Sequence, residues 1–257
     1  NDQLHGNRAV GPYPQPVEIR PQSAYPGPAV LTQGSPDAIS TLSRGHFIVF
    51  AGIDGSGTTT QCQLLAYFLK TAGVRVTQTR EPGGTPAAER MRNLVLDPRL
   101  GDISFRAELF LYAASRSQHV EELIQPALER GDVVICDRFI ASSLAYQGYG
   151  RGLDLDIVNE VNRIAIAGCR PDIGLFLDLP LEVARERRGR RGESADRLEQ
   201  AGDSLQQKVA RGYRAIADFD DTAYVFDARL EADRLALEIR NTLRERWPWF
   251  PDEEEKA

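Results

Sequence analysis

From Gly45 onward, the apolar residues of the chain follow two alternating patterns. Short apolar runs of strand length predict five β-strands, at 47–51, 74–79, 133–136, 173–177 and 223–226. Longer segments with helical spacing predict helices near 59–72, 87–96, 105–129, 154–167, 181–188, 204–218 and 230–246. Because strands and helices alternate, we expect an α/β protein with a doubly wound, five-stranded parallel sheet and helices on both faces.

The first 44 residues lack these patterns and contain seven of the 15 prolines. This composition predicts a disordered or extended tail over 1–44, more typical of a linker than of a docking segment. The sequence does not identify a partner for this tail. We expect the folded domain over 45–246 and an acidic C-terminal tail over 247–257.

Composition excludes several functional classes. The chain of 257 residues carries 37 acidic and 31 basic side chains, which disfavours a uniformly basic surface for nucleic acid. It contains no apolar run of about 18 residues, so we expect no membrane span. The three cysteines form no CxxC pair, which predicts reduced thiols in a cytoplasmic protein.

The first predicted strand runs directly into the glycine-rich segment GIDGSGTT, which leads into a helix. A strand, a glycine loop and a helix N-terminus together form a site for phosphate groups. The expected nucleotide-binding residues are Gly52, Ile53, Asp54, Gly55, Ser56, Gly57, Thr58, Thr59 and Thr60. A mere glycine turn is the alternative.

Thr58 stands where such loops usually carry lysine, and the next residue, Thr59, stands where a hydroxyl binds Mg²⁺. A neutral threonine forgoes a charge-assisted hydrogen bond of about 1.5–3 kcal/mol. None of the chain's three lysines, Lys70, Lys208 and Lys256, is a local substitute. We therefore expect arginines to supply the missing charge.

The third predicted strand ends at Asp137 and Arg138. Ligands of open α/β sheets bind at the carboxyl ends of the strands, so Asp137 is a candidate for Mg²⁺ and Arg138 for bridging phosphates. An Asp-Arg pair that only begins a turn is the alternative. The hydroxyls, amide, phenol and glycines of residues 139–152 are suited to recognising a base and a sugar.

Arg116 interrupts the apolar stripe of the helix predicted at 105–129, four residues after Tyr112. The arginine either extends to solvent at the margin of the stripe or faces a ligand cavity together with the tyrosine ring. His119 is better explained by surface exposure or helix packing than by catalysis.

Six arginines occur between residues 185 and 197. They predict a lid, at about 187–199, that brings guanidinium groups over a triphosphate, with Arg188 and Arg191 as the catalytic candidates. A solvated helix end or a nucleic-acid patch is the alternative, although the interspersed acidic residues disfavour nucleic acid.

Five segments together resemble the thymidylate kinase family, and they span about residues 46–246. They are GIDGSGTTTQ at 52–61, REPGGT at 80–85, YAASRSQH at 112–119, DRFIASSLAYQGYGRG at 137–152 and DRLE at 196–199. The resemblance implies a phosphate-loop NTPase fold of the nucleoside monophosphate kinase type, a homodimer, and Mg²⁺-dependent transfer of the γ-phosphoryl of ATP to dTMP. The basic lid predicted for this chain is similar to the lid of the bacterial subtype of the family.

The same resemblance implies roles for individual residues. Asp54 and Arg138 would be catalytic together with the lid arginines, and Thr59, Asp137 and Asp54 would lie at the metal. The residues expected to bind dTMP are Arg80, Arg92, Tyr112, Arg116, Ser142, Ser143, Tyr146, Gln147 and Glu199.

Two positions depart from the family pattern: Thr58 replaces the loop lysine, and Ala51 stands where glutamate is common. Two other functions therefore stay open. One is a nucleotide-binding homologue that senses or scaffolds without turnover, and the other is a kinase of another nucleoside monophosphate.

Overall fold

The computed structural model describes residues 44–191, 197, 198, 200 and 202–252. Residues 1–43 of the tail predicted over 1–44, lid residues 192–196 and Glu199 lie outside the described residues, as does the side chain of Arg191.

Five parallel strands form one sheet in the order β2-β3-β1-β4-β5. They are β1 (Phe47–Gly52), β2 (Val76–Arg80), β3 (Val133–Asp137), β4 (Ile173–Asp178) and β5 (Ala223–Asp227). This arrangement confirms the predicted doubly wound α/β class. Because the order changes direction beside β1, the carboxyl ends of β1 and β3 border the crevice where such sheets bind ligands.

Nine α-helices lie within the described ranges. They are α1 (Thr58–Thr71), α2 (Pro86–Leu96), α3 (Phe105–His119), α4 (Gln125–Glu129), α5 (Ile140–Ser143), α6 (Leu155–Ile166), α7 (Leu181–Arg191), α8 (Asp203–Asp218) and α9 (Ala232–Arg246). The helix predicted at 105–129 consists of α3, a π-helical segment at Val120–Ile124, and α4. No helix of the described part has the length and apolar content that a membrane span requires.

One helical region was not predicted. Residues 140–150 form α5 and a π-helical segment at Leu144–Gly150. Their serines and glycines are weak helix formers, so local propensity did not indicate a helix. Packing against α8 stabilises this segment instead.

The centre of the sheet is buried on both faces. On one face, Ile48 and Ile135 pack with α1 and α9, and on the other, Val49 and Val134 pack with residues 120–128. Every residue of β1 and β3 is buried, which explains their continuous apolar sequences.

The folded body extends beyond the expected boundary at 246. Trp247 and Phe250 are buried, and their rings contact His46 and Phe68 respectively. Residues 247–250 therefore belong to the core rather than to a tail.

Candidate active site

The glycine-rich loop adopts a backbone conformation that requires glycine at two positions. Gly55 and Gly57 have φ angles of 93° and 94°, a region that glycine occupies without strain. A Cβ on Gly55 would lie 2.8 Å from the carbonyl oxygen of Ala184, so the loop packs closely against α7. Because α1 begins at Thr58, its free backbone N–H groups are next to the loop. This arrangement fits a phosphate site.

Thr59 and Asp137 meet beside the loop. The Thr59 hydroxyl donates to Oδ2 of Asp137 at 2.5 Å. The other carboxylate oxygen, Oδ1, is buried and has no hydrogen-bond partner. Among the described residues, no group of three or more His, Cys, Asp or Glu side chains could hold a metal ion. A cation at this pair would therefore take most of its ligands from phosphate oxygens and water.

Arg138 connects this loop to a neighbouring cavity. Its backbone has φ 72°, which is rare outside glycine, and its N–H donates to the Phe50 carbonyl at 2.8 Å. The guanidinium donates to the Gly52 carbonyl and to Oδ1 of Asp54, each at 2.7 Å. Burial acts to lower the pKa of Arg138, but Tyr213 and Asp54 outweigh burial and raise the pKa well above its usual value.

The cavity beside Arg138 is open to solvent on one side, and it spans about 570 Å³ of space including that open part. It brings together most of the residues expected to bind the acceptor nucleotide. The expected site residues that line it are Asp54, Arg92, Tyr112, Arg116, Arg138, Ser142, Ser143, Tyr146 and Gln147, and they are joined by Glu81, Pro82, Leu96, Phe139 and Leu198, for which we had expected no role.

Arg116 lies deep in this cavity wall and is only 2% exposed, so it does not extend to solvent. Its Nε donates to Glu81 at 2.7 Å, and Nη1 donates to Ser143 at 3.0 Å and to Asn162 at 2.6 Å. Nη2 donates to the Phe139 carbonyl at 3.2 Å. These contacts use four of the five N–H groups of the guanidinium, which leaves one for a ligand.

Glu81 extends the same network to a histidine. Its Oε1 lies 3.1 Å from Nδ1 of His119, whose Nε2 lies 2.7 Å from the Thr79 hydroxyl. His119 is fully buried and does not line the cavity. It is therefore a packing residue, one of the two roles expected for it.

Glu108 is a second buried carboxylate that the sequence analysis missed. It accepts hydrogen bonds from Gln147 at 2.9 Å, from Arg151 at 3.2 Å and from Arg197 at 2.5 Å. Burial acts to raise the pKa of Glu108, but these hydrogen bonds and charges lower the pKa below its ordinary value. Since Glu108 precedes Tyr112 by four residues, as Arg116 follows it, the same spacing could have found it.

Three expected residues occupy positions that refine their roles. Arg80 does not line the cavity, because its guanidinium pairs with Glu89 at 3.0 Å. Both carboxylate oxygens of Asp54 bond cavity residues, Arg138 and Tyr146, rather than the Thr59–Asp137 pair. Arg188 reaches the loop, where its Nη1 donates to the Asp54 carbonyl at 2.9 Å.

Tyr146 and Tyr213 are two buried phenols whose hydroxyls form hydrogen bonds within the site. Tyr146 donates to Oδ2 of Asp54 at 2.7 Å, and burial and the Asp54 charge raise its pKa well above the usual value. Tyr213, in α8, accepts from Arg138 at 2.8 Å. It was not predicted as a site residue because its spacing from Leu205 and Val209 is that of a core residue.

Comparisons with known proteins agree with this geometry. The sequence profile described as thymidylate kinase matches residues 50–239. Thymidylate kinase of Pelotomaculum thermopropionicum is 47% identical over 203 residues, covering 79% of this chain and 94% of the relative. That of Parasynechococcus marenigrum is 49% identical over 201 residues, covering 76% and 95%.

A solved structure leads to the same family. The crystal structure of thymidylate kinase from Ehrlichia chaffeensis superposes with a TM-score of 0.64 and 33% identity. The match covers 78% of this chain and 99% of that one. The profile match, the sequence identities and the structural superposition together show that this chain belongs to the thymidylate kinase family.

Proposed function

We propose that the chain transfers the γ-phosphoryl group of ATP to dTMP, giving dTDP. The observation that carries this proposal is the link between the two halves of the site. The guanidinium of Arg138 bonds the Gly52 carbonyl of the loop and the Asp54 carboxylate of the cavity, each at 2.7 Å. A phosphoryl group passing from loop to cavity would meet this positive charge.

The cavity is suited to a nucleoside monophosphate. The Tyr112 ring provides an aromatic surface for a base, and the remaining N–H of Arg116 can donate to a base carbonyl. Ser143, Gln147 and Arg92 line the same space. Tyr146 is held by Asp54, where its phenol disfavours a ribose 2′-hydroxyl, as the family resemblance implies.

Arg188 is our candidate for the charge that Thr58 lacks. Its Nη1 bonds the Asp54 carbonyl of the loop at 2.9 Å, so the guanidinium lies beside the loop in which a phosphate would bind. A guanidinium can bond two phosphate oxygens at once, which a lysine cannot do in the same planar geometry. Arg191 is retained as a second candidate because it lies one helical turn further along α7.

Mg²⁺ fits Thr59 and Asp137, because a buried carboxylate oxygen without a partner is a suitable ligand for a hard cation. When bound, Mg²⁺ neutralises phosphate charge during transfer. Asp54 is engaged by Arg138 and Tyr146, so we assign it to positioning Arg138 rather than to the metal. Phosphoryl transfer depends chiefly on position and charge, so no proton-abstracting base is required.

Two partner and location proposals remain. Exposed Phe110 on α3 and exposed Ile157 and Ile164 on α6 lie on helices that pack together, which supports a homodimer. Size-exclusion chromatography with light scattering tests the proposed homodimer, and a monomer at micromolar concentration would contradict it.

The free, buried thiols of Cys62, Cys136 and Cys169 support a cytoplasmic location.

A coupled assay with ATP, Mg²⁺ and dTMP tests the proposed function. We expect turnover with dTMP that exceeds turnover with dUMP, dCMP or dGMP, and we expect Arg138→Ala to abolish it. A rate at background, with nucleotide still bound in calorimetry, would favour the sensing or scaffolding function, which the neutral Thr58 supports. A preferred acceptor other than dTMP would indicate a kinase of another monophosphate.

A further inference from the structure

Tyr213 of α8 lies between the two halves of the site, and the proposed function gives it no role. Its side chain is buried, and its hydroxyl oxygen lies 2.8 Å from Nη1 of Arg138 and 2.9 Å from Oγ of Ser142. Arg138 and Ser142 both line the acceptor cavity, and Arg138 also bonds the Gly52 carbonyl of the loop. One hydroxyl therefore joins Ser142 to the arginine that connects the loop and the cavity.

The chemistry of the three groups restricts the direction of these hydrogen bonds. A guanidinium only donates, so the Tyr213 oxygen accepts from Arg138. The phenol has one O–H besides the oxygen that accepts, so it can donate to a second partner while it accepts from Arg138. Ser142 Oγ, 2.9 Å away, is placed to accept this proton, although the distance alone allows either hydroxyl to donate. The Ser142 hydroxyl then has its own proton available for another partner.

We propose that Tyr213 is a positioning residue that orients Ser142 as a hydrogen-bond donor toward the acceptor nucleotide. The proposal rests on the proposed function and deepens it, because it assigns Ser142 the donor role rather than the acceptor role. The same hydroxyl holds Nη1 of Arg138 while Nη2 stays on Asp54. Binding of the acceptor and placement of Arg138 thus depend on one phenol.

The test is Tyr213→Phe, which removes the hydroxyl and keeps the ring. The ring packs edge-on against Tyr146 and Phe176, with centroids 6.3 Å away in each case, so the variant retains its core packing. The matched control is Tyr149→Phe. Tyr149 packs on Gly212 of the same helix, so this control removes one phenol hydroxyl from the same helix interface.

In Tyr213→Phe, we expect the KM for dTMP to rise about tenfold and kcat to fall, while the KM for ATP changes less than about twofold. Tyr149→Phe leaves all three constants at wild-type values. The double variant Ser142→Ala with Tyr213→Phe is no worse in its KM for dTMP than Ser142→Ala alone, because both substitutions remove the same donor.

Equal kinetic constants for the two Tyr→Phe variants would overturn the inference, as would additive effects in the double variant. A parallel rise in the KM for ATP would indicate a general structural role and would also overturn it. These outcomes leave the proposed function intact. If the wild-type protein neither binds nor phosphorylates dTMP, the proposed function fails and the inference fails with it.

Discussion

The acceptor cavity and the phosphate loop are neighbours, but they differ in how they neutralise charge. In the cavity wall, Arg116 and Glu81 pair at 2.7 Å and are almost fully buried. In the loop, the usual lysine position holds the neutral Thr58, and Oδ1 of Asp137 is buried without a hydrogen-bond partner. In the cavity wall, the buried charges are paired within the protein. Beside the loop, one carboxylate oxygen of Asp137 has no hydrogen-bond partner, and the loop has no lysine.

This difference indicates two ways of building one site. A cavity whose polar groups are fixed by each other is preorganised, so it selects its ligand with little rearrangement. A loop that lacks its own cation depends on charge from elsewhere, here from Arg188 of α7 and from Mg²⁺. Substitutions in the cavity should therefore affect stability and acceptor binding together, and substitutions near the loop should affect the rate.

The largest effect is expected for Arg116→Ala. It leaves the Glu81 carboxylate buried without its cation, which costs about 3–5 kcal/mol of unfolding free energy. It should also weaken dTMP binding far more than ATP binding. Urea unfolding and calorimetry measure these effects. The control is Arg163→Ala, whose pair with Glu160 is exposed to solvent and should contribute little to stability. Equal losses in dTMP and ATP affinity would contradict the assignment of Arg116 to the acceptor.

Arg188→Ala should lower kcat by about 10²–10³-fold and leave the unfolding free energy nearly unchanged, because Arg188 contacts a loop carbonyl rather than a buried charge. Steady-state kinetics with both substrates at saturating concentration measures the change in kcat. Arg190→Ala is the control, since that arginine is exposed and lies 3.9 Å from Glu186. If the two variants have the same kcat, Arg188 does not supply the missing charge.

A smaller effect is expected in the pH dependence of stability, through Glu108, which accepts a hydrogen bond from the cavity residue Gln147. The folded protein lowers the pKa of Glu108 below its ordinary 4.5, so the stability that Glu108 contributes is complete above pH 4.5 and is lost as the pH falls through the folded value. The difference in unfolding free energy between wild type and Glu108→Gln should therefore shrink between pH 6 and pH 3. A difference that stays constant across this range would show that the pKa of Glu108 is the same in the folded and unfolded states.

The smallest effect is expected for Thr58→Lys. If Arg188 already neutralises the phosphates, an added ammonium should change kcat/KM by less than about tenfold, because the two cations repel each other. Thr71→Lys, at the exposed far end of α1, controls for the change in net charge. A gain of several orders of magnitude would mean that no arginine substitutes for the lysine, and the contrast between loop and cavity would then reflect a defect.

Much of the fold could be predicted because its signals are local. The strands β1 and β3 are continuous apolar runs, and both were predicted to begin where they do, at Phe47 and Val133. The turn into α1 follows from glycines at positions that need positive φ. By contrast, residues 140–150 are helical because of packing against α8, a contact that no local pattern encodes.

The candidate site was predicted in part for the same reason. The spacing of four residues between Tyr112 and Arg116 allowed either a shared cavity or extension of Arg116 to solvent, and both residues line the cavity. Arg80 was expected there too, but Glu89, nine residues further along the chain, holds it outside. Glu108 and Tyr213 were missed because each resembles an ordinary helix residue until its partners from other segments are known.

The sequence by itself determined the order of the strands and helices, the phosphate loop and the absence of its lysine, since these depend on neighbouring residues and on chain periodicity. The tertiary structure decided which charges meet. Arg116 finds Glu81 across 35 positions, and Arg188 reaches the Asp54 carbonyl across 134. The energy of an electrostatic interaction depends on the distance between the two charges, and that distance is set only when the chain is folded.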